Sequence, residues 1–310
     1  MMLIHSLDST FNFKNPVVTI GTFDGVHRGH MEVISHLIKS AGSHNGESVV
    51  ITFSPHPRKI VSGAAQQLSL LSTSEEKIAL LESSGIDHLI IIDFDRELSM
   101  MDACDFVEEV LVRKIGAKHL IVGFNHRFGR KGEGDYNTIR QCASRFDLTV
   151  EMVDAVGSKS GTISSSVIRD ALLQGRLADA NSMLGYNYSI TGTVAEGRKI
   201  GRTIGFPTAN ISPGDPEKLI PATGVYAVGV LIGKEEYKGV MSIGYNPTVN
   251  IEPGARTIEA YIFDFDRDIY GSEITVILKF RLRDEMKFPD LTGLAAQIEL
   301  DKKKALSLME

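Results

Sequence analysis

Residues 16–30 read PVVTIGTFDGVHRGH. The first eight form an apolar, β-branched run of strand character, and Val33, Ile34, Leu37, Ile38 and Ala41 then recur at helical spacing. A strand that turns straight into a helix is the opening unit of a parallel α/β sheet. His27 and His30 stand at that turn with Gly29 between them. The free N–H groups and positive dipole end of a starting helix favour a phosphate, glycine lets the backbone approach it, and imidazoles can donate hydrogen bonds to charge that builds during attack. By spacing alone the pair reads equally well as surface or capping histidines, and no third ligand is local enough for a metal. The strand-loop-helix setting favours phosphate.

Outward from this stretch, SVVITF (48–53), HLIIIDF (88–94) and HLIVGF (119–124) are further strand runs, with helical patterns over 74–83 and 102–115. Four near-continuous apolar strands alternating with helices predict a parallel sheet buried on both faces, with ligands at the carboxyl ends of its strands. After about residue 184 the texture changes. YSITGTV, GVYAVGVLI, YKGVMSIG, TIEAYIFDF and ITVILKFRL are short runs punctuated by Gly, Pro and Asn, as in an antiparallel barrel or sandwich. Residues 292–309 read as a closing helix. Two domains are expected, 1–183 and 184–310, which suits a chain of 310 residues. No low-complexity linker or internal repeat is evident.

Net charge is -6, with 18 basic against 22 acidic residues in 1–183 and 15 against 17 in 184–310. Neither half is basic, so nucleic acid is not an expected partner. The two cysteines, Cys104 and Cys142, are too few for a disulfide framework or a zinc cluster and are expected as reduced thiols. The first residues lack a basic start followed by a long apolar core, and no stretch approaches the roughly 18 apolar residues of a membrane span. A soluble, cytoplasmic protein without membrane association is expected, as a monomer or weak homo-oligomer.

GTFDGVHRGH (21–30) resembles the signature of the nucleotidyltransferase superfamily shared with class I aminoacyl-tRNA synthetases. Nearly the whole chain, through five motifs in order, resembles the bacterial bifunctional riboflavin kinase/FMN adenylyltransferases. The resemblance implies a Rossmann-like nucleotidyltransferase domain followed by an antiparallel β-barrel riboflavin kinase domain with a C-terminal helix. In the first domain it implies that His27 and His30 are catalytic and that Gly21, Phe23, Asp24 and Gly29 surround the nucleotide phosphates. TFSPHP (52–57) resembles a segment beside the flavin and nucleotide, although a rigid turn made by Pro55 and Pro57 accounts for it equally well. GFNHRFG (123–129) resembles a flavin-holding loop, with Asn125 bonding a flavin carbonyl or imide and Phe128 stacking on its ring; His126 stands where Phe is commoner. ISSSVIR (163–169) resembles the second nucleotide motif, a relative of the synthetase KMSKS loop. There Ser164 and Ser165 match, Ser166 replaces Thr, and Arg169 supplies a permanent charge for the leaving phosphates. A serine at that point is also a good helix cap, and the two roles are compatible.

GRKIGRTIGFPTAN (197–210) fits neither GxGxxG nor GxxxxGK[ST], and by composition it is a flexible basic loop. It resembles the riboflavin kinase motif. That implies Gly201, Gly205 and Pro207 around the ATP phosphates, and Thr208 and Asn210 as ligands of magnesium. Glu259, in RTIEAYIFDF, lies where the family has its base, which takes the proton of the ribityl 5′-hydroxyl as that oxygen attacks the γ-phosphate. MSIGYNPTV (241–249) resembles the segment before that strand, and RLRDEMKF (281–288) a flavin-side flap that makes Arg283 a flavin contact. Asp264, Asp266 and Asp268 imitate the start of an EF-hand, but Ile269 and Thr275 occupy its required glycine and glutamate positions, which excludes calcium.

The implied substrates are riboflavin, FMN and ATP, with Mg2+. The implied reactions are riboflavin to FMN, with release of ADP, and FMN to FAD, with release of pyrophosphate. One rival is an adenylyltransferase for a pantetheine or nicotinamide phosphate, against which FPTAN and Glu259 argue. The other is a non-catalytic flavin or RNA sensor, against which His27, His30 and Arg169 argue.

Overall fold

In a computed structural model that describes residues 2–61, 69–158, 161–197, 200–245 and 256–310, the chain forms two compact units, Met1–Ser165 and Ser166–Glu310. The first holds β1 (Leu3–Ser6), β2 (Val17–Ile20), β3 (Ser48–Ser54), β4 (His88–Asp93), β5 (His119–Gly123) and β6 (Thr149–Val153). They form one sheet in the order β1-β4-β3-β2-β5-β6, every neighbouring pair parallel. Side chains alternate across it. Val18 and Ile20 pack with Phe106, Val110 and Ile139 on one face, while Val17 and Val50 pack with Ile34 and Leu37 of helix α1 (Arg28–Ser43) on the other.

Six strands replace the four expected. β1 and β6 lie at the sheet edges with mostly exposed or half-exposed residues, so neither shows the continuous apolar run that marks a buried strand. From β2 the chain steps outward to β3 and β4, then returns to place β5 on the other side of β2. That reversal opens a crevice at the carboxyl ends of β2 and β5, where GTFDGVH and GFNHRFG follow.

The expectation of two reduced thiols is corrected. Cys104 and Cys142 are joined, with Cα atoms 5.2 Å apart. They are separated by 38 residues, and what unites them is the packing of the helix Tyr136–Ala143 against the turn Ala103–Asp105. That turn continues into π-helical Phe106–Lys114. A small hairpin, β7 (Gly157–Ser158) and β8 (Gly161–Thr162), follows β6.

In the second unit β9 (Ser189–Ala195), β10 (Thr208–Pro213), β11 (Gly224–Ile232), β12 (Glu235–Tyr245), β13 (Arg256–Ile262) and β14 (Glu273–Arg283) form a closed antiparallel barrel, ordered β10-β13-β12-β11-β14-β9. Pairing of β9 with β10 completes the ring. Part of the supposed flexible loop is therefore strand, since TANISP is β10. The helix Leu291–Leu308 packs Ala305 into a core with Val225, Val240 and Leu282. The helices Ser165–Leu173 and Leu177–Leu184 are also tied to the barrel. The Ala222 N–H donates to Leu172 O at 3.0 Å, and Asn181 Nδ2 to Leu278 O at 3.0 Å.

Candidate active sites

The first site grows from the end of β2. Phe23, Gly25 and Val26 have φ of +49°, +78° and +34°, and for β-branched Val26 this is costly backbone. The turn persists because its surroundings fix it. Asp24, buried, accepts the Leu71 and Ser72 N–H groups on Oδ1 at 2.9 and 3.2 Å. The Ser72 hydroxyl accepts the Gly25 N–H at 3.0 Å, and the Ser165 hydroxyl donates to Asp24 O at 3.0 Å. This carboxylate is turned to those amides, and its nearest chemical task is to hold the loop. The buried Phe23 ring lies over Gly21, where a Cβ would come within 3.2 Å of it.

His27 caps α1, and its Nδ1 accepts the His30 N–H at 3.3 Å. A neutral His27 therefore carries its proton on Nε2, as a donor. The His27 and His30 rings stack 3.6 Å apart, 14° from parallel, and Phe23 meets His30 edge-on at 5.1 Å. A Cβ on Gly29 would sit 3.2 Å from the His27 ring, so this residue must be small for the stack to form. His30 Nδ1 is buried without a partner among the described residues. Burial first, and the neighbouring His27 second, hold the His30 pKa well below the usual imidazole value, so it is neutral at pH 7.

Ser164 is half-buried just before the helix Ser165–Leu173, and Arg169 lies one turn beyond Ser165 on it. In the loop after β5, Asn125 is exposed, but Phe128 is buried against Phe106, ring centroids 5.3 Å apart. Its ring packs with the core. Gly129 and Gly134 let this loop lie on Ala103, since a Cβ on either would come within 2.9 Å of that residue. In TFSPHP, His56 Nδ1 accepts the Arg58 N–H at 3.2 Å, as a local turn requires.

The second site lies on the barrel wall. Asn210 of β10 pairs directly with Glu259 of β13, and the Thr208 hydroxyl donates to Glu259 Oε2 at 3.4 Å. Directly opposed residues share a face, so Thr208, Asn210 and Glu259 converge. Glycines allow the approach. A Cβ on Gly197 would lie 1.9 Å from Asn210 Nδ2, and one on Gly201 2.2 Å from Phe206 O. Gly205 has φ +84°, and Pro207 leads into β10. Residues 198–199 and 246–249 of the motifs lie outside the described residues. The Arg283 guanidinium grips Asp301 of the closing helix: Nε donates to both carboxylate oxygens at 3.0 and 3.1 Å, and Nη2 to Oδ2 at 2.7 Å. Its charge is matched within the protein.

Residues 10–167 match the family model described as FAD synthetase, and residues 184–309 the one described as riboflavin kinase. The bifunctional riboflavin kinase/FMN adenylyltransferase of Listeria monocytogenes is 40% identical over 93% of this chain and 90% of its own length. That of Haemophilus influenzae is 37% identical, over 98% of each. The chain belongs to the bifunctional riboflavin kinase/FMN adenylyltransferase family. A solved structure named as a macrolide-efflux protein from Streptococcus pneumoniae also superposes, with a TM-score of 0.89 at 30% identity over 98% of both chains. Among the described residues of this chain no helix is long and apolar enough to cross a membrane.

Three residues of this family member escaped the motif reading. Lys77, on the helix Ser74–Ser83, reaches the ends of β2 and β3. Its Nζ donates to Thr52 Oγ1 and Phe53 O at 3.2 Å and to Thr22 O at 3.5 Å. Burial lowers its pKa, and the Asp24 charge opposes that shift. Ser242 of β12 pairs with Glu259 from the side opposite Asn210. Phe124, 42% exposed beside Asn125, is the open aromatic of its loop in place of Phe128. Nothing local marks Lys77, since a lysine in EEK reads as a solvated helix charge; Phe124 and Ser242 lie inside GFNHRFG and MSIGYNPTV but are not singled out there.

Proposed function

We propose that the chain makes FAD in two steps, phosphorylating riboflavin at the barrel and adenylylating FMN at the first site, with the labour divided between residues 1–183 and 184–310. The observation that carries this reading is the placing of Glu259 against Thr208 and Asn210 on adjoining strands. Glu259 accepts the proton of the ribityl 5′-hydroxyl as that oxygen bonds to the γ-phosphorus and the bond to ADP breaks. The donors suit a hard cation. Among the described residues no three of His, Cys, Asp and Glu gather as a cage, so Thr208 and Asn210 would hold magnesium together with the phosphates, an all-oxygen shell. Bound there, it would offset phosphate charge.

In the second step an FMN phosphate oxygen attacks the α-phosphorus of ATP, and pyrophosphate leaves. The His27 Nε2–H and the neutral His30 ring donate to the crowded phosphate, at the positive end of α1. Gly21, Phe23 and Gly29 shape the loop for close approach, Ser164, Ser165 and Arg169 receive the departing phosphates, and Asn125 holds the flavin. On this reading both steps consume ATP and are carried out in the cytoplasm. The chain acts there as a monomer or weak homo-oligomer, without nucleic acid.

The test is chromatography of flavins after incubation with magnesium and ATP, starting once from riboflavin and once from FMN. Glu259→Gln is expected to slow FMN formation about 10²- to 10⁴-fold and to leave FMN-to-FAD conversion intact. His30→Ala is expected to do the reverse, with FMN accumulating as FAD formation drops on the order of 10²-fold. Loss of both activities in either folded variant would refute the division of labour.

A further inference from the structure

We infer that Lys77 is a positioning residue for adenylyl transfer, holding the Thr22 carbonyl so that Phe23 keeps the His27–His30 stack in place. The inference rests on reading the first unit as the FMN adenylyltransferase. The lysine joins two segments that the sequence keeps apart, since its ammonium donates to Thr22 O in the phosphate loop and to Thr52 Oγ1 and Phe53 O at the end of β3. The Thr52 hydroxyl, itself fully buried, donates to the same Thr22 carbonyl at 3.2 Å. Two donors thus fix one carbonyl. The next residue is Phe23, at φ +49°, whose ring lies over Gly21 and edge-on to His30.

A left-handed phenylalanine is held by its surroundings, not by its own preference. If the Thr22 carbonyl swings, the Phe23 torsion relaxes and its ring withdraws from His30. Lys77 touches neither histidine and acts through Thr22 and Phe23.

The test uses the purified full chain and steady-state FAD formation from FMN and ATP, with riboflavin phosphorylation by the same sample as the internal control. Lys77→Met is expected to lower kcat for FAD on the order of 100-fold, with KM for ATP and FMN within about threefold of wild type and riboflavin phosphorylation unchanged. Thr52→Val, which removes the second donor, is expected to lower kcat in the same way, and Thr52→Ser, which keeps the hydroxyl, to restore it. A folded Lys77→Met with wild-type kcat, or one whose defect lies wholly in KM, overturns the inference. If Lys77→Met does not fold, the threonine pair decides, and equal kcat in Thr52→Val and Thr52→Ser overturns it. A wild-type chain that makes no FAD from FMN would instead overturn the adenylyltransferase reading, and this inference with it.

Discussion

Burial holds the His126 imidazole at about 4, and its Nε2 has no partner among the described residues. In the unfolded chain the same ring titrates near 6.5. Between these values the unfolded state binds the extra proton and the folded state does not, so the contribution to stability rises with pH across the window and is lost on acidification. His30, also depressed, acts in the same direction. Urea unfolding of the first unit is therefore expected to show a midpoint that falls from pH 7 to pH 4, and His126→Phe to flatten that dependence; an unchanged slope in the variant would exclude His126 as a source. At this scale the sequence revealed residues whose neighbours lie a few positions away. The HxGH spacing places His27, Gly29 and His30 in contact by helix geometry alone. Thr208 and Asn210 entered only through the resemblance of FPTAN, because the strand that puts them on one face was not legible. Lys77, Ser242 and Phe124 were illegible because their significance depends on residues brought near only by the sheet or barrel.

Among elements, long buried strands were readable and edges were not. β2 and β3 are continuous apolar runs, whereas β1 and β6 are half wet and β10 hides within a run rich in glycine and threonine. The approach to β10 is where backbone space decides activity. Gly201→Ala would bring a Cβ within 2.2 Å of the Phe206 carbonyl, whereas one on Gly205 meets nothing within 4 Å and bears only the strain of φ +84°. Backbone cannot retreat as a flexible side chain can. Gly201→Ala is accordingly expected to lose riboflavin phosphorylation while FMN adenylylation continues, and Gly205→Ala to cost about 1 to 3 kcal/mol of local strain with a milder defect. Comparing both activities in the two variants checks this; equal kinase rates would show that the loop accommodates the extra carbon.

Across the whole molecule, the Arg283–Asp301 pair fastens the closing helix to β14, with the Asp301 side chain 5% exposed. Removing Arg283 leaves Asp301 buried without its cation, whereas Arg283 is 19% exposed and also donates to Asp284 O. Arg283→Met is expected to destabilise the barrel unit by about 3 to 5 kcal/mol in thermal unfolding, and the double change Arg283→Met with Asp301→Leu to recover most of that; additive losses would mean that the pair acts through packing alone. The two units also differ in how their strands end. The ring of six barrel strands has no first or last member, whereas the parallel sheet stops at β1, where Leu3 and Ile4 are 50% and 52% exposed and, among the described residues, no strand covers the outer side. An uncovered strand is a template for another chain. Under heat or crowding, clumping is therefore expected to begin at the N-terminal half, strand against strand, while the barrel half stays dispersed.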